Sequence, residues 1–124
     1  MECPYCHNKA ICVDGAHVYP LRPNLHEKHF YVCDPCDARV GCHPGSKEPL
    51  GVIANAEHRR WKLEAHRAFD PIWKRKYKTR KKAYIWLAKE LDIDIANCHI
   101  GMFSLELCKR TTEISNNFLI TKRI

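Results

Sequence analysis

The sequence has no long apolar run and no leader-like segment at its amino terminus. No stretch reaches the roughly 18 uninterrupted apolar residues that a membrane-spanning helix requires. The opening Met-Glu-Cys-Pro carries neither the basic start nor the apolar segment of a secretory signal peptide. Internal repeats and low-complexity segments are also missing. These absences argue against a membrane protein or a repeat array, and they predict a soluble protein of the reducing cytoplasm.

Acidic residues are scarce in one part of the chain. Residues 59–82 contain 11 of the 21 lysines and arginines but only two of the 14 acids, Glu64 and Asp70. This segment therefore has a formal charge of +9, whereas the rest of the +7 chain has a charge of −2. Such a segment predicts a polyanionic partner, and nucleic acid is favoured over membrane because no amphipathic anchor accompanies it. The ordinary alternative is a solvated, lysine-rich helix surface.

Eight cysteines are present, and four of them form two Cys-x-x-Cys pairs. Cys3 pairs with Cys6, and Cys33 with Cys36, so two tight turns supply four thiolates that can surround zinc. Four sulfurs leave no open position on the metal, which predicts one structural Zn²⁺. His7, beside Cys6, is interpreted as a spectator. The alternative is a set of free or disulfide-linked cysteines, which a reducing compartment disfavours.

The first 53 residues show strand and turn patterns around these cysteines. The apolar run at 10–13 ends at Asp14-Gly15, a tight-turn signal, and residues 17–19 are predicted to return as the second strand of a hairpin. Residues 29–32 are predicted to form a strand that leads into the second cysteine pair.

A turn-rich connector is predicted over residues 41–53, which contain several prolines and glycines. This composition disfavours a treble clef, in which the second cysteine pair would open a long helix. The pattern of residues 1–53 is instead typical of a zinc ribbon.

From residue 54 the hydrophobic period becomes helical. Asn55 is predicted to cap a helix that ends at Asp70-Pro71, where a second, short helix is predicted to begin. One face of the first helix collects Trp61, Ala65, Ala68 and Phe69.

Two further helices are predicted downstream. Thr79 is expected to cap a helix of about twelve residues that ends at Leu91. Another helix is expected to start at Ser104 and to exit at 115–117, before a loose or strand-like tail. The predicted fold class is α+β, with a four-cysteine zinc ribbon and its connector (1–53) packed on a basic helical unit (54–124) in one compact domain.

The basic segment is interleaved with aromatic residues, a combination expected of single-strand or RNA binders. Trp61, Phe69 and Trp86 coincide with apolar helix faces and are predicted to be inside, which leaves Tyr77 as the exposed aromatic. The predicted phosphate contacts are Arg59, Arg60, Lys62, Arg67, Lys74, Arg75, Lys76, Lys78, Arg80, Lys81 and Lys82.

Two identical dipeptides, Cys42-His43 and Cys98-His99, suggest with Cys108 a second metal site. Adjacent side chains rarely point the same way, and buried cysteine is an ordinary small apolar residue, so simple core packing is the competing interpretation. A cysteine–histidine nucleophilic pair is a further alternative, although no local signature supports it.

Five blocks of the sequence are distinctive: residues 31–45 (YVCDPCDARVGCHPG), 49–51, 61–73, 83–88 and 98–103. They resemble a small zinc-finger-containing family of bacteriophage and prophage proteins. The resemblance extends from Cys3 to about Arg110. It implies a bound zinc ion and a phage or bacterial cytoplasmic setting, and it implies no defined reaction.

These observations predict a binding protein without catalytic residues, in which zinc holds the fold and residues 59–82 engage nucleic acid, DNA or RNA. The alternative is a protein-interaction module, such as a phage factor that binds or inhibits a host protein through the same cations. A metal-assisted nuclease is the third interpretation. It requires an open metal position and a general base, for which His43, His66 and His99 are the only candidates.

Overall fold

The computed structural model describes residues 1–123 and divides the chain into two compact units. The first unit comprises Met1–Glu57, and the second begins at His58. The first contains a three-stranded antiparallel sheet beside four cysteines, and the second is helical, so the α+β class is confirmed. No helix within residues 1–123 combines the length and apolar character needed to cross a membrane.

The sheet consists of β1 (Ile11–Asp14), β2 (His29–Cys33) and β3 (Ala38–Gly41) in the order β1-β2-β3. β2 is the central strand, and it confirms the strand predicted ahead of the second cysteine pair. Its Tyr31 lies opposite Cys12 on one side and Val40 on the other. This register places the carboxyl end of β2, and therefore Cys33, at the metal centre described below.

The predicted hairpin at Asp14-Gly15 is wrong. A short helix, α1 (Gly15–Val18), replaces the returning strand, because the Asp14 side chain accepts a hydrogen bond from the His17 amide at 3.2 Å. A Cβ at Gly15 would lie 1.5 Å from the Leu25 carbonyl oxygen, so only glycine fits this close approach. β1 consequently pairs with β2 across a longer connection.

The connector after β3 is held by isolated bridges rather than by a helix or strand of its own. Arg39 pairs with Ala54 through two backbone hydrogen bonds of 2.9 and 3.1 Å, and Cys42 pairs with Pro49. The turn-rich connector predicted for this region is therefore confirmed, with Ile53 buried at its end.

Helix α2 (Ala56–Lys74) runs without interruption through Pro71, so the predicted break at Asp70-Pro71 is wrong. Proline has no amide to donate to the carbonyl four residues earlier, which normally disfavours a helix interior. Phe69 and Ile72, on either side of this position, are completely buried. Their burial stabilises the continuous helix against the local preference for a break.

Helix α3 (Arg80–Leu91) confirms the predicted cap and length. The Thr79 hydroxyl accepts a hydrogen bond from the Lys82 amide at 3.2 Å, and the helix spans 12 residues. It ends at Leu91 and is followed by Asp92, whose backbone is left-handed with φ 55°. Ala83, Leu87 and Leu91 are buried along one face, as their four-residue spacing predicts.

Helix α4 (Leu105–Arg123) begins where predicted, since the Ser104 hydroxyl accepts a hydrogen bond from the Leu107 amide at 3.2 Å. The predicted exit at 115–117 is wrong, because the helix continues through it. Ser115 is fully buried in the helix interior, and Leu119 extends the buried stripe one turn further. Ser115 thus belongs to a packed face rather than to a helix end, while Asn116 and Asn117 are exposed within the same helix.

The helical unit packs around Phe69, Phe103 and Leu87, all of which are buried. Phe69 is inside as predicted, whereas Trp61 and Trp86 are only half-buried and lie at the edge of this core. Tyr77 is the exposed aromatic residue, as predicted, with 42% of its surface accessible.

Candidate metal centre

The sulfur atoms of four cysteines come together in the first unit. Their Sγ atoms all lie within 4.8 Å of one another, and the Cys6 and Cys33 sulfurs are 3.6 Å apart. Cys3 and Cys6 belong to the first tight turn of the chain, Cys33 ends β2, and Cys36 ends a single 3₁₀ turn. The group therefore joins two chain segments that are distant in sequence.

Both cysteine pairs use the same backbone device. The residue that follows the second cysteine, His7 in one turn and Asp37 in the other, is left-handed, with φ values of 63° and 49°. The His7 amide donates to the Cys3 carbonyl at 2.9 Å, and the Asp37 amide donates to the Asp34 carbonyl at 3.0 Å. Each segment thus turns back sharply enough to aim two sulfurs at a common point.

The donor set and its dimensions fit zinc. A zinc–sulfur bond of about 2.3 Å in a tetrahedron implies sulfur–sulfur distances of about 3.8 Å, close to the 3.6 Å separation of Cys6 and Cys33. Four thiolates form a closed structural shell with no position for a reacting water. The prediction of one structural Zn²⁺ is therefore confirmed.

The electrostatics of the thiols favour a cation at this point. Burial raises the pKa of Cys3, but the backbone amides of Cys6 and Tyr5 and the neighbouring sulfurs outweigh burial and lower it to about 7. The Cys6 sulfur, followed by burial, raises the pKa of Cys36 to about 12, and burial raises that of Cys33. Without a cation the crowded thiols resist losing their protons together, and a divalent ion removes this repulsion.

His7 lies outside the sulfur shell. Its ring nitrogen Nδ1 is 3.1 Å from the Glu2 carboxylate, and both side chains are largely exposed. This pairing agrees with its interpretation as a spectator, since the four sulfurs already complete a tetrahedral shell.

Cys42, His43, Cys98, His99 and Cys108 do not form a second cluster. Within residues 1–123, the four-cysteine group is the only place where three or more potential ligand atoms of cysteine, histidine or carboxylate residues converge. The idea of a further metal centre at the two dipeptides is therefore not supported by the described structure.

The three thiols in this set behave as buried core groups. Cys98 donates to the Tyr84 carbonyl at 3.7 Å, and Cys108 donates to the Phe103 carbonyl at 4.0 Å. Burial raises the pKa of Cys42, Cys98 and Cys108, the last to about 11, so these thiols stay protonated at neutral pH. A protonated thiol is a poor nucleophile and a poor metal ligand.

The three histidines considered for a nuclease belong to no group of three or more potential metal ligands in residues 1–123. His43 and His99 are exposed, and His66 lies 3.5 Å from the Asp70 carboxylate one helical turn away. The latter contact is an ordinary pair of neighbours on the surface of α2.

The predicted phosphate contacts fall into two groups by exposure. Arg59, Lys62 and Lys78 are half-buried. Arg67 is exposed and is 3.3 Å from the Glu64 carboxylate. The other exposed cations are Arg60, Lys74, Arg75, Lys76, Arg80, Lys81 and Lys82.

One cation near this segment escaped the sequence analysis. Lys122 lies 5.4 Å from the centre of the Phe118 ring, which also contacts Tyr77 and Trp86 edge-on or tilted. Lys78 faces the same ring at 5.6 Å. The helical period of residues 105–123 could have revealed Lys122, had the helix not been predicted to exit at 115–117.

Comparison with known proteins gives a family but no individual relative. Neither the curated proteins nor the solved structures contain a match. A family described as a zinc-finger-containing domain matches residues 1–118, which include all four cysteines of the metal centre, the whole first unit and most of the second. The chain belongs to this zinc-finger-containing family.

Proposed function

We propose that this protein binds nucleic acid through the cations between the end of α2 and the start of α3, while zinc keeps the first unit folded. The observation that carries the proposal is the cationic run at residues 74–82, hereafter the basic junction, in which every cation but the half-buried Lys78 is exposed. It contains seven lysines and arginines among nine residues, and no acid occurs between Asp70 and Glu90. None of the seven forms an ion pair with a carboxylate in residues 1–123.

Self-repulsion within the basic junction supports a polyanionic partner. Clustered like charges destabilise a compact state unless another charge offsets them. Arg80, Lys81 and Lys82 also occupy the first turn of α3, which contains no acidic residue. The positive end of the helix dipole lies at that turn, so an anion is more stable there than a cation. Phosphate groups would relieve both effects.

The aromatic groups beside the basic junction favour unpaired strands over duplex. Tyr77 lies within the junction and is exposed, and its ring meets Phe118 edge-on at 6.2 Å. Exposed aromatic rings can stack on unpaired bases while neighbouring cations hold phosphates.

The setting proposed for this activity is the cytoplasm of a phage-infected or lysogenic bacterium. Zinc held by four thiolates requires reduced cysteines, which such a compartment maintains.

Binding of labelled DNA and RNA single strands at increasing salt concentrations tests the proposal. Two matched triple variants each lower the formal charge from +7 to +4 by replacing three exposed lysines with glutamine. One variant changes Lys74, Lys76 and Lys81 in the basic junction, and the control changes Lys9, Lys28 and Lys47 in the first unit. The junction variant should reduce the slope of log affinity against log salt by about 2, at about 0.7 for each lost phosphate contact.

The control variant should bind almost as the unchanged protein does. Equal loss in both variants would mean that only net charge matters, and the basic junction would not be the site. If neither DNA nor RNA binds at low salt, nucleic-acid binding fails altogether. Polyglutamate has negative charge but neither phosphate nor base, so it distinguishes nucleic-acid binding from the alternative of an acidic host protein. It should compete only weakly with nucleic acid for the protein. Binding to polyglutamate but not to nucleic acid would favour a protein partner.

A further inference from the structure

A cavity of about 410 Å³ opens beside the first turns of α3. We propose that it holds an unpaired nucleobase, so that the protein prefers single-stranded nucleic acid with accessible bases over duplex. The inference rests on the proposed function and adds to it the part of the ligand that is recognised. The volume falls in the range of about 300–1,000 Å³ typical of small-molecule sites.

Two segments of the helical unit form the cavity. Arg80, Lys81, Tyr84 and Ile85 come from one side of α3, at the spacing of successive helical turns. The opposite wall comes from the chain that follows α3, including a 3₁₀ turn at Ile95–Asn97.

The wall after α3 is held in place by short-range contacts. Asp92 reverses the chain in a left-handed conformation, and the Ile93 amide donates to the Ala88 carbonyl at 3.0 Å. Cys98, which is buried in the core, donates to the Tyr84 carbonyl at 3.7 Å. The cavity is therefore a built part of the fold rather than a gap between mobile side chains.

The chemistry of the lining changes from apolar walls to a cationic rim. Ile85 and Ile95 line the cavity and are 48% and 52% exposed, so their apolar surface is open to solvent unless a ligand covers it. Arg80 and Lys81 line the same cavity and belong to the basic junction. A ligand that matches both features has a flat, weakly polar ring joined to a negatively charged group, as a nucleotide of a single strand has.

Arg80 is positioned for stacking as well as for charge. Its guanidinium carbon lies 5.4 Å from the ring centres of both Trp73 and Tyr84. Contact with two rings restricts the side chain, which lowers the entropy lost when a ligand binds. Guanidinium planes and aromatic rings are the groups on which unpaired bases stack in single-strand and RNA complexes.

A base of duplex nucleic acid cannot enter this cavity unless it first leaves the base stack. A paired base lies inside the stack, and its extrusion costs a few kcal/mol. An unpaired base enters without that cost, while the adjacent lysines and arginines hold its backbone. The cavity therefore adds a preference for base accessibility to an electrostatic interaction that is otherwise indifferent to sequence.

The test compares three labelled ligands of equal length: a mixed-sequence single strand, the same strand built of abasic nucleotides, and the duplex. The full zinc-loaded protein should bind the natural single strand about tenfold more tightly than the abasic strand, since one stacked base contributes roughly one power of ten in affinity. The variant Ile85→Ala with Ile95→Ala should lose most of this preference while it keeps its affinity for the abasic strand, and only the contribution of Tyr77, which lies outside the cavity, should remain. The single variant Ile95→Ala should show an intermediate loss.

The matched control is Leu63→Ala with Ile120→Ala. These residues are 51% and 56% exposed and do not line the cavity, so the base preference should remain. A preference that is undiminished in the Ile85 and Ile95 variant overturns the cavity proposal, and so does equal binding of natural and abasic strands by the unchanged protein. In either case salt-sensitive binding still supports the basic junction. If no strand binds at low salt, the proposed function fails, and the cavity proposal fails with it.

Discussion

The two units of this protein differ in what fills their interiors. The buried cluster beside the cysteines of Met1–Glu57 contains six residues, none larger than isoleucine, and two of them are the zinc ligands Cys3 and Cys33. The buried cluster in the described part of the helical unit contains twelve residues, including Phe69 and Phe103. A small apolar interior rarely stabilises a fold of this size alone, so the metal takes the place of burial in the first unit.

The same difference bears on where charge is tolerated. The seven cations of the basic junction are carried by the unit with the larger apolar core. Repulsion among them lowers the stability of the compact state, and a large buried area offsets that cost. The unit that depends on a metal has no comparable run of like charge. Each unit thus has a separate source of stability, which the following predictions test from the largest effect to the smallest.

Removal of zinc should produce the largest effect, and it should be confined to the first unit. Structural zinc contributes an apparent binding free energy of about 10–16 kcal/mol to the folding of zinc-finger peptides, so a chelator or Cys33→Ser should unfold residues 1–57. Amide signals in NMR spectra should collapse for these residues and persist for the α3 core. Native mass spectrometry should count one zinc per chain, and none in Cys33→Ser.

Cys12→Ser is the matched control, because Cys12 lies in β1 outside the four-sulfur group. It should keep its zinc and its fold. A first unit that stays folded after complete chelation would remove the distinction between the two units, because an apolar core would then suffice in both.

Phe69→Ala should destabilise the helical unit and leave the first unit folded around its zinc. Phe69 is completely buried in the helical unit, and truncation of a buried phenylalanine costs about 3–5 kcal/mol. Denaturant titration followed by circular dichroism should show this loss in the helical transition, while mass spectrometry still counts one zinc. Leu63→Ala on the same helix, at a half-exposed position, should change the free energy of unfolding by about 0.5 kcal/mol or less. Loss of zinc from Phe69→Ala would show that the first unit depends on the helical core.

Local chemistry made parts of both units predictable. The Cys-x-x-Cys spacing indicates a metal site because each pair needs only its own tight turn to present two sulfurs. The helix from Arg80 to Leu91 could also be predicted, because Thr79 caps it and Ala83, Leu87 and Leu91 repeat every four residues. These features depend on neighbours in sequence, so the sequence contains the information needed to infer them.

Features decided by distant contacts could not be predicted. Asp14-Gly15 has the composition of a hairpin turn, but Gly15 packs against the Leu25 carbonyl and Asp14 caps a short helix. The polar residues that begin at Ser115 are typical of a helix end, yet Ser115 is fully buried within α4. The cavity beside α3 likewise depends on how the chain after Asp92 folds back, which has no local signature. Tertiary packing overrides local preference in each case.

Pro71→Ala should produce the smallest effect. The sign of its effect on the free energy of unfolding tests whether tertiary packing overrides the local preference of this proline. If the burial of Phe69 and Ile72 holds α2 continuous against its proline, alanine restores the missing amide and removes the ring's conflict with the carbonyl four residues earlier. The free energy of unfolding of the helical unit should then rise by about 1–3 kcal/mol. Pro44→Ala in the connector should instead lower the free energy of unfolding of the first unit by about 0.4–1 kcal/mol, because proline there only restricts the unfolded chain.

A neutral or destabilising Pro71→Ala would mean that a helix starts at this residue, since proline is favoured at the first helical position. Asp70 would then act as a cap, and the basic junction would follow a separate short helix rather than the end of a long one. An increase in stability would instead show that the interior of the helical unit is strong enough to hold an unfavourable residue in a regular helix. The first unit, whose interior depends on sulfur and zinc, has no comparable reserve of apolar burial.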